Sequence, residues 1–334
     1  MKAIVITRTG GPEVLELREI PDPVIQKDTE VLVKIKAAGV NPIDTKLRKG
    51  ETYYPVKIPM IPGFDGAGII EEIGSEVRRF KVGDGVYFFN GGTGGYSGNY
   101  AEYTTVDEKY AVLKPKSITF VEVAGAPLVL ITAWESLFDR GNLQEGQYVL
   151  VHSGAGGVGH VAVQLAKMKN AKICTTVSSK EKKEFVEKLG AEKVVNYKEN
   201  DFVEEVLKWT DGFGVNLAID TIGGETFFRT FSAMSFYGDL VTLLQPEPKK
   251  DNWKEARIKN LRISYELVLS PIFYGLQKER ERQTKILEQC SKFMDEGKLI
   301  IYVSKTFSLR DAVYAHQTIE KGSTVGKIVL VIDE

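Results

Sequence analysis

Short apolar runs separated by turn residues fill the first 122 positions of the chain. The runs are "KAIVIT", "EVLVKIKAAGV", "GAGIIEEIG", "GDGVYFF" and "NYAEYTTV". Runs of this length, bounded by glycine and short polar residues, are typical of β-strands. The pattern therefore predicts a compact, barrel-like β-rich module over residues 1–122.

A different pattern occupies residues 123–275. Strand-like runs such as "QYVLVHS", "KICTTVS" and "VNLAIDTIG" alternate there with helical stretches such as "EKKEFVEKLGA" and "DFVEEVLKWT". This alternation predicts a doubly wound parallel sheet, so the fold class is α/β. Residues 276–334 return to one long helix and β-like runs. We expect them to join residues 1–122 in one domain, interrupted by residues 123–275.

The bulk composition excludes several classes of function. The 334 residues carry a net charge of -1 and are 43% hydrophobic. A near-neutral chain without a basic, aromatic stripe is not expected to bind nucleic acid as its main role. The sequence has neither a long apolar run nor a signal-peptide pattern, so no membrane span is expected. The two cysteines, Cys174 and Cys290, make no disulfide framework, which favours a reducing cytoplasm.

A glycine-rich turn stands at the start of the alternating region. Gly154, Gly156 and Gly159 have the spacing G-x-G-x-x-G, directly after the strand-like "YVLVHS" and at the start of a helix that includes Gly157 and Val158. In this context the spacing predicts a dinucleotide site. The glycines allow the tight turn, the approach of a pyrophosphate to the backbone, and close packing of helix on strand. The alternative is a tight turn that binds no ligand.

The end of the next strand indicates which dinucleotide fits. An NAD site usually has Asp or Glu here to hold the ribose 2′-hydroxyl. This chain has Ser178, Ser179, Lys180 and Lys182 instead. Hydroxyl and ammonium groups suit a 2′-phosphate, so NADPH is favoured over NADH. A helix cap at Ser179 followed by a solvated charged face is the alternative, and both interpretations can hold together.

Several longer stretches are specific in combination and stand in one order along the chain. They include "AAGVNPIDTKLRKG", "IPGFDGAGIIEEIGSEVRRFKVGDGVY", "GAPLVLITAWESL", "VHSGAGGVGHVAVQLAKMKNAKI", "VVNYKENDF", "DTIGGETF" and "GKIVLVI". On these stretches the chain resembles the zinc-free quinone oxidoreductases (zeta-crystallin-like) of the medium-chain dehydrogenase/reductase superfamily. The resemblance covers nearly the whole length. It implies a GroES-like β-rich catalytic domain and a Rossmann domain that binds NADPH.

The zinc-dependent alcohol dehydrogenases of the same superfamily hold their catalytic zinc at three positions. By resemblance, Asn41, Phe64 and Leu128 stand at those positions here. An amide, a phenyl ring and an isobutyl group cannot reproduce the nitrogen and sulfur ligands of zinc. The three histidines, His152, His160 and His316, have no ligand spacing and are interpreted as structural. We therefore predict no metal.

The resemblance also implies roles for individual residues. Asn41 and Asp44 border the nicotinamide end of the cleft, Thr132 touches the nicotinamide ribose or carboxamide, and Tyr197 borders the adenosine phosphate. Weaker implications, each with an equal alternative as a turn or core residue, concern Thr221, Leu244, Gly326 and Lys327.

Two departures from the family pattern affect the catalytic residues. Lys46 stands where close relatives often have an aromatic residue, and the segment "ETYYPVK" shifts the expected active-site tyrosine by about one position. Tyr53 or Tyr54 is then the candidate. Such a tyrosine could hydrogen-bond a substrate oxygen or donate a proton, or it could be a packing aromatic.

Three functions follow as hypotheses. Without zinc to polarise a carbonyl, hydride transfer favours quinones or α,β-unsaturated carbonyls, so the leading hypothesis is an NADPH-dependent reductase of these compounds. A 2-enoyl-thioester reductase is the second, because "PKKDNWKEARIKNLR" is basic enough to attract a phosphorylated carrier. A non-catalytic NADPH-binding protein, crystallin-like or RNA-associated, is the third.

The resemblance further implies an assembly. It places the strand "LRISYEL" at an edge of the Rossmann sheet. An exposed edge invites pairing with its own copy across a two-fold axis, so we expect a homodimer.

Overall fold

The computed structural model describes residues 1–55, 57–95, 97–246 and 253–332. They group into two compact units, of which the first comprises Met1–Ile131 and Leu269–Glu334 and the second Thr132–Val268. These bounds differ from the predicted ones after residues 122 and 275 because helices close to both boundaries pack within the first unit. A helix over Phe120–Ala124 lies against that unit's sheet, and Phe273 stacks on Tyr54.

The first chain segment supplies most of the β-structure. Its strands and helices are β1 (Lys2–Val5), β2 (Glu16–Glu19), β3 (Glu30–Val40), α1 (Pro42–Lys49), β4 (Asp65–Ile73), β5 (Gly85–Phe89), β6 (Tyr103–Asp107), β7 (Ala111–Leu113) and α2 (Phe120–Ala124). Single 3-10 turns cover Pro12–Val14 and Glu108–Tyr110.

The middle segment alternates strands and helices. It contains α3 (Pro127–Trp134), a π-helix (Glu135–Arg140), β8 (Tyr148–Val151), α4 (Gly157–Met168), β9 (Lys172–Val177), α5 (Lys180–Leu189), β10 (Lys193–Asn196), α6 (Phe202–Trp209), β11 (Val215–Asp220), α7 (Gly224–Ala233), β12 (Met234–Thr242), α8 (Lys254–Ile258) and β13 (Arg262–Tyr265).

The last segment returns to the first unit. It contains α9 (Ser270–Phe273), α10 (Gln277–Asp295), β14 (Val303–Ser308), a 3-10 turn (Leu309–Asp311), α11 (Ala312–Glu320) and β15 (Lys327–Val331). No helix in the described ranges has the length and apolar content needed to cross a bilayer.

The sheet of the first unit brings three distant chain positions together. Its order is β14-β15-β3-β4-β5-β7, with β6 also paired to β3, and β1 and β2 form a separate antiparallel pair. The register of β3 sets Gly39 opposite Asp65 of β4 and Val40 opposite Ile328 of β15. The residue that follows β3 therefore lies beside the start of β4 and the start of β15.

Two clusters of apolar side chains form the core of the first unit. One lies between β1, β3, β15 and α11 and includes Ile4, Ile35 and Leu330. The other lies between β3, β4 and β5 and includes Val33 and Phe88. Because β3 contributes residues to both clusters, this strand is buried along most of its length. Its burial fixes the pairing register of β3 with its neighbouring strands.

The second unit is built on a parallel sheet of six strands. The order is β10-β9-β8-β11-β12-β13 and every neighbouring pair is parallel. The chain moves outward from β8 to β10, then continues on the other side from β11 to β13. In sheets of this order, ligands bind outside the carboxyl ends of the strands where the direction changes. The order also confirms that "LRISYEL", which contains β13, lies at an edge.

Candidate active site

The packing of the second unit requires glycine at two positions of the turn between β8 and α4. A Cβ atom on Gly154 would overlap Thr175 Oγ1 of the neighbouring strand. A Cβ atom on Gly159 would overlap the Ser153 carbonyl oxygen and lie 2.7 Å from Gly154 Cα. Both glycines therefore let the first turn of α4 lie directly against the end of the sheet.

Gly156 has a different position in the same turn. It is the N-cap of α4 in an extended conformation (φ -78°, ψ -177°), and no side chain caps the helix. A Cβ atom here would lie 3.2 Å from the nearest protein atoms, so packing alone does not require glycine. The first N–H groups of a helix have no acceptor within the helix and attract anions. The missing side chain leaves these groups of Gly157 and Val158 open to approach.

Positive charge gathers at the ends of the next two strands. Lys182 Nζ donates to Ser178 Oγ at 3.2 Å, and Ser179 Oγ caps α5 by accepting from the Lys182 backbone N–H at 3.3 Å. Partial burial lowers the pKa of the Lys182 ammonium, and the charge of Lys198 after β10 lowers it further. Two cations whose charges act on each other suit a phosphate group. Lys198 is not among the residues predicted from the sequence.

A cavity of about 450 Å³ opens beside these residues in the second unit. Tyr197, with 54% of its surface exposed, lines it together with Thr176 and Ile222. Further lining residues are His152, Lys198, Glu199, Asn200, Asp201, Phe202, Thr226 and Arg229. The cavity lies where the strands β9, β10 and β11 end, and its volume suits a small aromatic group.

Thr221 and Leu244 hold neighbouring loops in place. Thr221 Oγ1 donates to the His152 carbonyl oxygen at 2.9 Å. The Leu244 side chain lies so close to Gly223 that a Cβ atom there would be 3.0 Å from Leu244 Cδ1. The contacts of both residues favour the alternative interpretation as turn and core residues.

Thr132 lies in a segment with several unsatisfied buried oxygens. Thr132 Oγ1, Ser136 Oγ and Glu266 Oε1 are buried and have no hydrogen-bond partner among the residues that the structure describes. Burial raises the pKa of the Glu266 carboxyl, and the charge of Glu135 adds to the rise. The segment from Glu135 is π-helical, a form that often marks functional positions. Orphaned polar atoms of this kind fit a polar ligand that supplies their partners.

In the first unit, Asn41 is held by two buried charged residues. Its amide Nδ2 donates to Asp65 Oδ2 at 2.8 Å, and its Oδ1 accepts from the Lys327 ammonium. Lys327 Nζ also lies 3.2 Å from the Val40 carbonyl oxygen and 3.6 Å from Asp65 Oδ2. Asp65 accepts a further bond from the Leu128 backbone N–H at 2.8 Å. The amide of Asn41 therefore has a fixed orientation.

Asp44 continues this arrangement at the start of α1. Its Oδ2 accepts from the Asn41 backbone N–H at 2.8 Å and from the Tyr100 hydroxyl at 3.3 Å. Burial raises the pKa of Asp44 to about 7, and the nearby charge of Asp65 adds to the rise. The structure therefore brings the two predicted catalytic residues Asn41 and Asp44 into direct contact.

Gly326 and Lys327, for which the resemblance implies a weaker role, have contacts inside the first unit. Gly326 has φ +58°, and a Cβ atom there would overlap the Tyr302 carbonyl oxygen. The Lys327 ammonium is only 3% exposed and is bound to Asn41 and Asp65. These contacts explain both residue types without a direct bond to a cofactor.

The two candidate tyrosines differ in their surroundings. Tyr53 is 73% exposed, whereas Tyr54 is 8% exposed. The Tyr54 ring stacks on Phe273 with centroids 4.4 Å apart, and its hydroxyl lies 3.0 Å from Ser270 Oγ. Tyr54 is therefore a packed aromatic with a partnered hydroxyl.

The three positions that hold zinc in related alcohol dehydrogenases carry ordinary structural side chains. Phe64 is fully buried, and its ring centroid lies 5.7 Å from that of Phe89. Leu128 is 7% exposed. The described ranges contain no group of three or more His, Cys, Asp or Glu residues that could hold a metal ion. The histidines have other partners: His152 lies between Thr176 and Thr230, and His160 contacts the Gly156 carbonyl oxygen.

Sequence reasoning missed several residues of these sites. Asp65, Tyr100 and His316 are separated from Asn41 by tens to hundreds of positions, and no local pattern connects them. Asp44, by contrast, was among the predicted residues, and its position three residues after Asn41, with a proline between them, is typical of a helix start.

Two family models match the chain. The alcohol dehydrogenase GroES-like domain matches residues 27–116, and a model described as zinc-binding dehydrogenase matches residues 189–330. Human quinone oxidoreductase is 30% identical over 99% of this chain and 98% of its own length.

Solved structures are similar over the whole chain. An alcohol dehydrogenase superfamily protein from Novosphingobium aromaticivorans has a TM-score of 0.91 at 32% identity and covers 100% of both chains. Escherichia coli quinone oxidoreductase, solved in complex with NADPH, has a TM-score of 0.87 at 29% identity and covers 99% of this chain and 100% of its own.

These matches agree with the two units described above. The GroES-like match falls in the first unit, and the parallel six-stranded sheet of the second has the Rossmann order. The full-length identity to quinone oxidoreductases extends across both. The chain is thus an oxidoreductase that belongs to the quinone oxidoreductase-like group of the medium-chain dehydrogenase/reductase superfamily.

Proposed function

We propose that this protein uses NADPH to reduce quinones or α,β-unsaturated carbonyl compounds, and that it does so without zinc. The observation that carries the proposal is the combination of an uncapped α4 N-terminus at Gly156 with the paired lysines Lys182 and Lys198. Backbone N–H groups suit the pyrophosphate, and the lysines suit a 2′-phosphate. The bound nicotinamide would supply the hydride.

The polar residues of the two units support this use in different ways. In the second unit, the orphaned Thr132 hydroxyl is free to bond the nicotinamide ribose or carboxamide. In the first unit, the Asn41 amide is held by Asp65 and Lys327 and can orient a substrate, but it cannot act as a general acid. Reduced quinone oxygens take protons readily from solvent, so this chemistry does not depend on a side-chain acid.

Independence from zinc rests on the donor set. Phe64 and Leu128 offer no ligand atoms, and the Asn41 amide already has both its polar atoms bound within the first unit. Zinc in catalytic sites prefers three nitrogen, sulfur or carboxylate ligands. The acceptor must then stabilise the added charge itself, which quinones and conjugated carbonyls do.

A substrate panel tests the proposal. NADPH absorbance is followed with 1,4-benzoquinone, 9,10-phenanthrenequinone, 2-alkenals and a 2-enoyl thioester, with and without a chelator. We expect chelator-insensitive oxidation by a quinone or an alkenal and no stoichiometric zinc on elemental analysis. One zinc per chain with loss of activity to the chelator would contradict the zinc-free reaction. Turnover of the thioester alone would support the second hypothesis, and NADPH binding without turnover the third.

The thioester hypothesis rests on a basic stretch, and two cations of that stretch already have hydrogen-bond partners within the second unit. Residues 248–252 lie outside the described residues. Lys259 Nζ donates to the carbonyl oxygens of Phe231, Ser232 and Met234 at 2.9 Å each. Arg262 forms two bonds to Asp239 at 2.6 Å. These contacts explain the two cations without a phosphorylated carrier.

The Lys182→Met variant should distinguish the two nicotinamide cofactors. Hydrogen bonds to charged groups contribute about 1.5–3 kcal/mol, so we expect the Kd for NADPH to rise about tenfold or more and that for NADH to stay nearly unchanged. Fluorescence titration measures both constants. Lys180→Met is the matched control, because Lys180 lies on the same helix, is 85% exposed and faces Glu184. Equal losses for both cofactors would show that Lys182 does not hold the 2′-phosphate.

We also propose a homodimer. Tyr265 on the edge strand β13 has 48% of its surface exposed. A strand at the edge of a sheet pairs readily with its copy in a second molecule. Light scattering at micromolar concentration should give twice the chain mass of 37.2 kDa. Tyr265→Lys should shift the protein toward the monomer, whereas Tyr314→Lys, an exposed tyrosine of α11, should not. A wild-type monomer would contradict the dimer.

A cytoplasmic location stays a prediction. Cys174 and Cys290 are both buried and free, and burial raises the pKa of each thiol to about 12. Such buried thiols are unreactive.

A further inference from the structure

A series of hydrogen bonds between side chains runs from Asp44 of α1 to Glu320 of α11. The Tyr100 hydroxyl lies 3.3 Å from Asp44 Oδ2 and 3.2 Å from His316 Nε2. His316 Nδ1 lies 3.2 Å from Arg48 Nη1, and Arg48 Nη2 lies 2.6 Å from Glu320 Oε1. Tyr100, His316 and Arg48 are each 0% exposed. This series of side-chain hydrogen bonds connects helices α1 and α11.

The direction of every bond in this series follows from its arginine end. A guanidinium group only donates, so His316 Nδ1 must accept from Arg48 and the imidazole proton must lie on Nε2. His316 Nε2–H then donates to the Tyr100 oxygen, and the Tyr100 proton is left to donate to Asp44. Burial and the charge of Arg48 lower the pKa of His316 to about 3, which keeps the imidazole neutral. Between Arg48 and Asp44, each donor in the series therefore points toward Asp44, whereas Arg48 Nη2 donates in the other direction to Glu320.

This series orients groups and does not carry protons to solvent. Arg48 stays charged at every ordinary pH and cannot pass a proton on. Its charge is balanced by Glu320, which also lies 3.1 Å from Lys49 Nζ. The outer end is thus a fixed ion pair that anchors the direction of the bonds.

Asp44 is the acceptor at the inner end, and only one of its oxygens is used. Oδ2 accepts from Tyr100 and from the Asn41 backbone N–H, whereas Oδ1 is buried with no partner in the described part of the chain. The charged groups that act on Asp44 are Asp65 and Lys327. An ionised Asp44 holds the Asn41 N–H strongly. A protonated one is a weaker acceptor, and its own proton has no acceptor.

We propose that Tyr100, His316 and Arg48 favour the ionised form of Asp44, which then holds the Asn41 backbone N–H in the arrangement used for reduction. This makes His316 a positioning residue. This inference rests on the proposed function, since it assigns Asn41 to the reductase reaction. Asn41 is the point where this series meets the Asp65 and Lys327 pair.

The proposal has a consequence for the pH dependence of turnover. With a pKa of about 7, Asp44 takes up a proton as the pH falls through neutrality. Turnover should then decline on the acidic side of pH 7, because the Asn41 backbone N–H loses its charged acceptor. Removing the Tyr100 donor destabilises the ionised form, so the decline should move to higher pH by about one unit, as a lost bond to a charged group implies.

Four variants test this consequence. Tyr100→Phe removes the last donor, and His316→Leu cuts the series in the middle. His316→Gln keeps an acceptor for Arg48 and a donor for Tyr100. Tyr87→Phe is the matched control, because Tyr87 is also 0% exposed in the first unit but bonds to Leu287 and Ser291. The pH profile of kcat/KM with a quinone is measured together with the Kd for NADPH and the thermal midpoint.

We expect Tyr100→Phe to shift the acidic decline upward by about one unit. His316→Leu should shift it in the same direction by a smaller amount, because Tyr100 can still donate to Asp44 but is no longer polarised by His316. The Kd for NADPH should stay within twofold of wild type in both variants. His316→Gln and Tyr87→Phe should keep the wild-type profile, whatever their thermal midpoints. An unshifted profile in Tyr100→Phe, or an equal shift in Tyr87→Phe, would overturn the proposal.

An infrared titration separates this inference from the proposed function. The carbonyl stretch of a protonated carboxylic acid is followed against pH in wild type, in Tyr100→Phe and in Asp44→Asn, which identifies the Asp44 band. If wild type reduces no quinone, the proposed function fails. The inference that the hydrogen-bond series acts on Asp44 is still supported if the titration midpoint of the Asp44 band rises in Tyr100→Phe. The inference is overturned if that midpoint does not move.

Discussion

Replacing Gly156 with alanine should weaken NADPH binding at least tenfold while the protein stays folded. The backbone of Gly156 is extended, and the added Cβ would lie 3.2 Å from Ser153, a contact that small shifts relieve. The methyl group would stand at the uncapped start of α4, where the pyrophosphate is proposed to approach the backbone. A loss of about 1.4 kcal/mol corresponds to each factor of ten. Fluorescence titration with NADPH measures the change.

Gly159→Ala is the contrasting variant in the same turn. Its Cβ would overlap the Ser153 carbonyl oxygen, and a backbone atom cannot move aside as a flexible side chain can. We expect a destabilisation of about 1–3 kcal/mol, typical of overpacking. The second unit contains all three tryptophans, so their fluorescence reports its unfolding. Unchanged NADPH binding in folded Gly156→Ala would show that the turn does not hold the cofactor.

Replacing Lys327 with methionine should destabilise the first unit by about 3–5 kcal/mol, the usual result of removing one partner of a buried ion pair. Asp65 is 0% exposed, and burial already raises the pKa of its carboxyl. Without the ammonium 3.6 Å away, the carboxyl must either stay as an uncompensated buried charge or take up a proton, and both cost stability. Asn41 would also lose the donor on its Oδ1. Circular dichroism during urea denaturation is the suitable measurement, because the first unit has no tryptophan.

The double variant Lys327→Met with Asp65→Asn supplies the control. Neutralising Asp65 removes the uncompensated charge. The single amide oxygen can still accept from the Leu128 N–H, and the new NH2 group can donate to the Asn41 oxygen once the Asn41 amide turns over. We expect the double variant to recover most of the lost stability. If Lys327→Met alone unfolds at the wild-type urea concentration, the pair contributes nothing to the fold.

The sequence by itself determined the features that depend on neighbouring residues. Alternating apolar runs separated the β-rich part from the α/β part, and the glycine spacing at Gly154, Gly156 and Gly159 identified the turn where a helix meets a strand. Ser178 and Lys182 were identified because they follow the second strand of the glycine-rich region, where an NAD site usually has Asp or Glu. Such features need no knowledge of distant segments.

The tertiary structure decided which distant residues meet. Asn41 contacts Asp65 across 24 positions and Lys327 across 286, and Arg48 contacts His316 across 268. The pairing register of β3, β4 and β15 sets the first two contacts, and the packing of α11 against α1 sets the third. Register and helix packing follow from the burial of whole faces, which local patterns do not encode. The Asp44 carboxyl therefore has a raised pKa only because folding removes it from water and places Asp65 beside it.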